Sequence, residues 1–132
     1  MNSRQLGILG EKIARGYLKR KGYKVLEKNY SPKFVSGPVY GEIDIVAKKE
    51  GIISFVEVKT QTSNKGDQNF FPENKVNFLK QRKIIKTSQA YLLEEGYPPE
   101  TKWQVDVLGI VISPEKNKAK IRHIKNAVPN IT

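Results

Sequence analysis

The chain has 132 residues, the length of one domain that can bury roughly two thirds of its unfolded surface. Its 24 Lys and Arg against 13 Asp and Glu leave a net charge of +11, which suits a polyanionic partner, nucleic acid first. Having no cysteine, it is excluded from disulfide, thiolate-nucleophile and thiolate-zinc chemistry, and it has neither a long apolar run nor a basic amphipathic helix of the kind that lies on membranes.

Ser3 is the expected N-cap of a helix that runs to about Lys21 and is ended by Gly22. Leu6, Leu9, Ile13 and Tyr17 recur at helical spacing and turn one side to the core. Glu11 lies over Gly7 and under Ala14, Arg15 and Leu18, beside small residues that let the backbone approach a sheet. On spacing alone the surface glutamate paired with Arg15 four residues on is the favoured reading, and only the resemblance given below reverses it. Ile8-Leu9 runs at once into Gly10-Glu11-Lys12, which is no secretory core, and a cytoplasmic protein is expected. Residues 23–30 alternate as a first strand at a sheet edge, and 31–39, with Pro32, Gly37 and Pro38, form a loop. Lys33, Phe34 and Tyr40 offer contacts to nucleic acid, against the common use of loop aromatics in local packing.

Residues 42–48 and 52–60 are rich in Ile, Val and Phe, and the short Lys48-Lys49-Glu50-Gly51 between them predicts a β-hairpin. Alternation puts Glu42, Asp44 and Val46 on one face of the first strand and Phe55, Glu57 and Lys59 on one face of the second, with Glu57 and Lys59 about 6.6 Å apart. A turn centred on Glu50-Gly51 sets Asp44 directly opposite Glu57; a turn one residue earlier makes the pair diagonal. In either register two carboxylates meet, and at about 4 Å they repel by roughly 4 kcal/mol at an effective dielectric of 20. A shared proton, the Lys59 ammonium or a divalent cation has to compensate; the cation is favoured, with Lys59 left for chemistry.

Residues 60–72 are polar, begin one residue after Lys59 and so border this place. Residues 73–94 predict a second helix, stopped by Gly96 and Pro98-Pro99, whose Lys75, Lys80, Arg82, Lys83 and Lys86 make a basic flank. That flank is either a solvated face or, as preferred here, a phosphate track with Lys80 nearest the site. Residues 103–112 form a central strand interrupted by Asp106, 113–119 a charged turn and 120–124 a last, edge strand. His123, beside Arg122 and Lys125, is expected at the surface rather than as a base. Residues 126–132 read as a loose tail on a single domain without repeats.

Gly41-Glu42-Ile43-Asp44 followed by Phe55-Val56-Glu57-Val58-Lys59 resembles the core of the restriction-endonuclease-like nucleases, whose pattern is an Asp, a spacer, then Glu or Asp, any residue, Lys. With Gly10-Glu11, Ala14 and Tyr17-Leu18 early, Val76 and Lys80 later, and then Asp106, the chain more narrowly resembles the YraN-like family of small bacterial proteins, similar to archaeal Holliday-junction resolvases. An isolated Glu-x-Lys is common; joined to Gly-Glu-Ile-Asp and an early Gly-Glu it is specific.

The resemblance implies an α/β domain with a restriction-endonuclease-like core: a mixed central sheet flanked by helices, in the order helix, three strands, helix, two strands. It implies that Asp44, Glu57 and the main-chain carbonyl of Val58 hold Mg²⁺ or Mn²⁺, that Glu11 binds a second metal or orients the water, and that Lys59 positions that water or steadies the pentacovalent charge. Glu42 is a weaker candidate, and Asp106 reads as a structural carboxylate rather than a ligand. Gln61 stands near where many relatives carry a cation, so phosphate attraction there is weaker. The expected reaction is phosphodiester hydrolysis in DNA, branched structures included, and a homodimer is left open. The alternatives are a non-catalytic nucleic-acid-binding module of recombination, repair or uptake, and a basic interaction protein in which Asp44, Glu57 and Lys59 form only a buried ion network.

Overall fold

A computed structural model describes residues 1–63 and 71–128, the side chains of Glu73 and Lys75 excepted. Helix α1 (Ser3–Arg20) starts one residue earlier than the expected cap allows, because Asn2, not Ser3, is the N-cap. Asn2 Oδ1 accepts the Gln5 N–H at 2.8 Å while Gln5 Oε1 accepts the Asn2 N–H at 2.9 Å, satisfying two donors reciprocally. Strands β1 (Lys24–Tyr30), β2 (Ile43–Lys49) and β3 (Ile52–Thr62) follow. After a 3-10 turn at Pro72–Lys75 come helix α2 (Phe78–Glu94), strand β4 (Lys102–Ser113), a second 3-10 turn (Pro114–Lys116) and strand β5 (Lys118–Ile124). The mixed α/β class and the order helix, three strands, helix, two strands are those predicted.

Three boundaries differ from expectation. Helix α2 begins at Phe78 rather than at Glu73, because Asn77 takes an extended backbone and its side chain caps the Lys80 N–H at 2.9 Å. The charged turn expected over 113–119 is shortened by β5, which already pairs at Lys118 with Ser113. Residues 126–128 are docked rather than loose: the Ala127 N–H donates to the Val105 carbonyl at 2.7 Å and Val128 is buried against the sheet. The rest of the expected tail, 129–132, and part of the expected 60–72 loop lie outside the described residues.

Among the described residues the sheet has five strands in chain order, with β3 and β4 parallel and every other neighbour antiparallel. The parallel pair requires a long crossover, which contains α2. As expected, β1 and β5 are the edges and β4 lies inside. The hairpin turn has its two central residues at positive φ, Glu50 at 52° and Gly51 at 80°, the two-residue geometry whose twist matches the flanking strands. Lys49 therefore pairs with Ile52 and Ile45 with Val56, the first of the two registers considered above.

The sheet is covered on both faces. Ile84, Ile85 and Tyr91 of α2 pack on Val46, Phe55 and Val105, whereas Ala14 and Leu18 of α1 pack on Ile45, Val56 and Leu108. The closest approach is at Gly10, where an added Cβ would stand 1.8 Å from Thr60 Oγ1 and 2.8 Å from Thr60 Cβ. Gly10→Ala should gain about 1 kcal/mol of helix propensity and still lower stability by about 1–3 kcal/mol through overpacking. Urea unfolding of the variant measures the balance; an unchanged or raised midpoint would show that α1 can lift from β3 freely.

Candidate functional site

Asp44 and Glu57 meet where β2 stops pairing with β3. The last pair of that ladder is Ile45 with Val56. One step further Asp44 Oδ2 accepts the Val58 N–H at 2.7 Å, so a carboxylate stands where a strand carbonyl would have been. A strand residue sends its N–H and C=O to the same side, so the Val58 carbonyl opens on the same gap.

Glu57 is only 4% exposed. Lys80, on the first turn of α2, brings its ammonium 3.0 Å from Glu57 Oε2, a coulombic contact that leaves this buried oxygen without an aligned hydrogen bond. Burial, then a hydrogen bond to Glu57 and the charge of Glu57, push the Asp44 carboxyl up to about 9; the Val58 N–H works against this and Glu11 adds to it. Beside Glu57 the protonated form of Asp44 is therefore favoured. Burial disfavours the Lys80 ammonium, but the attraction of Glu57, with Asp44 and Glu42 behind it, outweighs that and raises its pKa.

Glu11 reaches the rim of this place from the other helix. Partial burial raises its pKa, Glu42 raises it further, Arg15 opposes and Glu57 adds a smaller push. Both readings of Glu11 thus hold in part: it feels Arg15, and it also feels the acidic pair. Among the described residues no three Asp, Glu, His or Cys groups gather closely enough to hold a metal ion. Glu42 is exposed.

Lys59 lies two residues beyond Glu57 on the same side of β3, and Gln61 two beyond that. Among the described residues Lys59 has no hydrogen-bond or ion-pair partner. Arg82 and Lys83 are exposed on α2, and the Lys75 side chain lies outside the described residues. Helix α2 is tied to the start of the acidic hairpin: the Gly41 N–H donates to Thr87 Oγ1 at 2.9 Å, and that hydroxyl donates to the Lys83 carbonyl at 2.7 Å.

Asp106 points to the opposite face of the sheet. Fully buried, it accepts from Gln104 Nε2 at 2.8 Å and from the Asn126 N–H at 3.0 Å, and pairs with His123 Nε2 at 2.8 Å. Burial alone would raise its pKa, but these partners, His123 foremost, outweigh burial and lower it. His123 is not the surface residue expected: its side chain is 7% exposed, bonded to the Tyr17 hydroxyl at 3.1 Å and flanked by the Tyr23 ring. This chain of polar groups joins α1, β4 and β5 and was missed from the sequence; the signal present was the parity that sets Asp106 on the α1 side of β4.

Among the described residues a five-stranded mixed sheet between two helices, with an acidic pair on its inner hairpin and a lysine-bearing helix laid across that pair, defines a small α/β domain. Residues 10–110 match uncharacterised protein family UPF0102, and the chain belongs to that family. It is 41% identical over 129 residues to a UPF0102 protein of Caldanaerobacter subterraneus subsp. tengcongensis, covering 96% of this chain and 97% of that one. It is 36% identical over 125 residues to a UPF0102 protein of Clostridium botulinum strain 657, covering 95% and 94%. Glu11, Asp44, Glu57, Lys59 and Asp106 all fall inside the matched segment. No helix among the described residues is long and apolar enough to cross a membrane.

Proposed function

We propose that this protein is a metal-dependent endodeoxyribonuclease of the restriction-endonuclease-like class, hydrolysing phosphodiester bonds in DNA, with branched and junction DNA among its substrates. One observation carries the reading: Asp44 and Glu57 face one gap with the Val58 main chain, and Lys59, without a partner among the described residues, follows on the same strand. Those oxygens fit Mg²⁺ or Mn²⁺, since Mg²⁺ commonly takes one or two carboxylates and keeps its waters for a phosphate substrate. A buried Glu57 oxygen without an aligned donor and an Asp44 that holds its proton are what an acidic pair looks like before a cation replaces that proton.

When bound, the ion would polarise the scissile phosphate and acidify a water. Lys59 is free to meet the phosphate or the attacking water, and Glu11, at the rim, to orient that water through a longer contact. Lys80, Arg82 and Lys83 hold the flanking backbone by charge. A DNA substrate places the protein in the cytoplasm, and a two-fold homodimer would present two such sites to a two-fold junction.

The test is to incubate the protein with single-stranded, duplex, flap and four-way-junction DNA in Mg²⁺, Mn²⁺ or EDTA, beside Asp44→Ala and Lys59→Ala. Cation-dependent cutting should slow by about 100-fold or more in each variant. The Lys80–Glu57 contact supports a second reading, a binding module whose acidic pair an ammonium already neutralises. Binding without cutting of any substrate would establish that reading, and cutting that survives both substitutions would remove the site. On either reading DNA affinity should fall on the order of a hundredfold between 50 and 200 mM salt, as for ~4 neutralised phosphates. A flat response in fluorescence anisotropy would exclude the basic track.

A further inference from the structure

Where the loop of residues 31–40 meets the C-terminal half of α2, a groove of about 470 Å³ opens, lined by Phe34, Val35, Tyr40, Ala90 and Leu93, with Lys86 at its side. Phe34 and Leu93 are 80% and 81% exposed, and apolar side chains left bare together mark a place where something docks. The Phe34 backbone is nonetheless pinned. The Glu94 carboxylate, the anionic group in the lining, accepts the Phe34 N–H at 3.0 Å, the Lys33 N–H at 3.1 Å and the Tyr30 hydroxyl. Its charge is engaged by these donors, and an aromatic surface is presented ready-made rather than ordered on binding.

A row of lysines on α2 leads from the acidic site toward the groove. Lys80 touches Glu57, Lys83 lies against Gly41, and Lys86 borders the groove beside Tyr40, one helical turn after another. From Lys80 to Ala90 is about 15 Å of helix.

We propose that the groove receives an unpaired nucleobase of the same strand that is engaged at Asp44 and Glu57. This deepens the nuclease reading and rests on it: the substrate class is nucleic acid with an unpaired segment beside the bond to be cut. A polyanion with flat apolar bases matches both properties of the surface, the lysine row and the bare Phe34 ring, and stacking of this kind tolerates any base. A base inside a duplex cannot reach the ring without leaving its stack. A second copy of the chain fits worse, because a two-fold contact through this patch would set the exposed Lys33, Lys83 and Lys86 against their own counterparts.

The experiment uses the whole chain, oligonucleotides carrying 2-aminopurine in a single-stranded or a fully paired context, in DNA and RNA versions, and the Phe34→Ala and Leu93→Glu variants. The wild type should bind the single-stranded forms with altered 2-aminopurine fluorescence. Phe34→Ala should weaken that binding about tenfold, within the range of base–aromatic stacking, and leave duplex affinity unchanged. DNA and RNA arms that behave alike indicate recognition of the base alone; a difference between them assigns the sugar.

Equal loss on paired and unpaired probes, or no effect of Phe34→Ala, overturns the base pocket while the nuclease reading stands. Absence of binding to every probe overturns both. Concentration-dependent dimerisation that Leu93→Glu abolishes assigns the patch to a second copy and overturns the proposal.

Discussion

Asp44→Asn should melt higher than the wild type at pH 8 in EDTA, by about 2 kcal/mol or on the order of 5 °C for a domain of this size, and should lose all cation-dependent cutting. The Asp44 carboxyl stands at about 9 in the folded chain against an ordinary value of 3.8. Between those values the folded state carries a proton that the unfolded state has released, so stability falls as pH rises across that window. Asparagine reproduces the protonated form at every pH: its oxygen can take the Val58 N–H and its amide can donate to Glu57. The two melting curves should therefore converge near pH 4 and separate toward pH 9. Mg²⁺ or Mn²⁺ should raise the midpoint of the wild type alone, since a ligand that binds only the folded state stabilises it. A wild type that melts with the variant across this range would mean that the two carboxylates do not repel. A reading of Asp44, Glu57 and Lys59 as a mere ion network predicts the reverse, a loss of stability in the variant.

Asp106→Ala has a comparable effect of opposite sign, a loss of about 3 kcal/mol. The substitution leaves Gln104 Nε2, His123 Nε2 and the Asn126 N–H without their acceptor inside the molecule. Tyr17→Phe, which removes only the hydroxyl bonded to His123, should lose about 1 kcal/mol. Because the folded-state pKa of Asp106 lies below 3.8, its contribution is present above that value and disappears as pH falls through the folded value, the mirror image of Asp44. Urea midpoints at pH 7 and pH 3 for the three proteins test this. DNA affinity per folded molecule should not change, since Asp106 lies on the α1 side of the sheet and the acidic pair on the other. A parallel loss of binding and stability would tie the two faces together.

The hairpin was legible because its information is local. Gly51 marks the turn and leaves two registers open, but alternation brings Asp44 to Glu57 in either; the structure takes the one centred on Glu50-Gly51, with both residues at positive φ. Lys80 was placed near the site as part of the basic flank of α2, not by periodicity, since α2 scatters its apolar residues around the helix. What could not be read is long-range or competitive. Residues 126–128 look like a tail until the open backbone of Val105 gives Ala127 a partner. His123 sits between charged neighbours in sequence, yet its own environment is made by Tyr17, Tyr23 and Asp106 from three other segments. At the start of α2, Glu73 and Lys75 favour a helix while Asn74 and Val76 do not, and the capping side chain of Asn77 fixes the first turn at Phe78.

The two outer strands give part of the chain's positive charge another use. β1 exposes Lys24 and Lys28, and β5 exposes Lys118 and Lys120, each on an outer strand of the sheet formed by the described residues. Lysines so placed discourage a second sheet from annealing to the rim, the route by which open β-proteins aggregate. On the function proposed above, resistance to aggregation and DNA binding would draw on different lysines. Neutralising the marginal ones should then cloud the solution long before it changes any affinity for DNA.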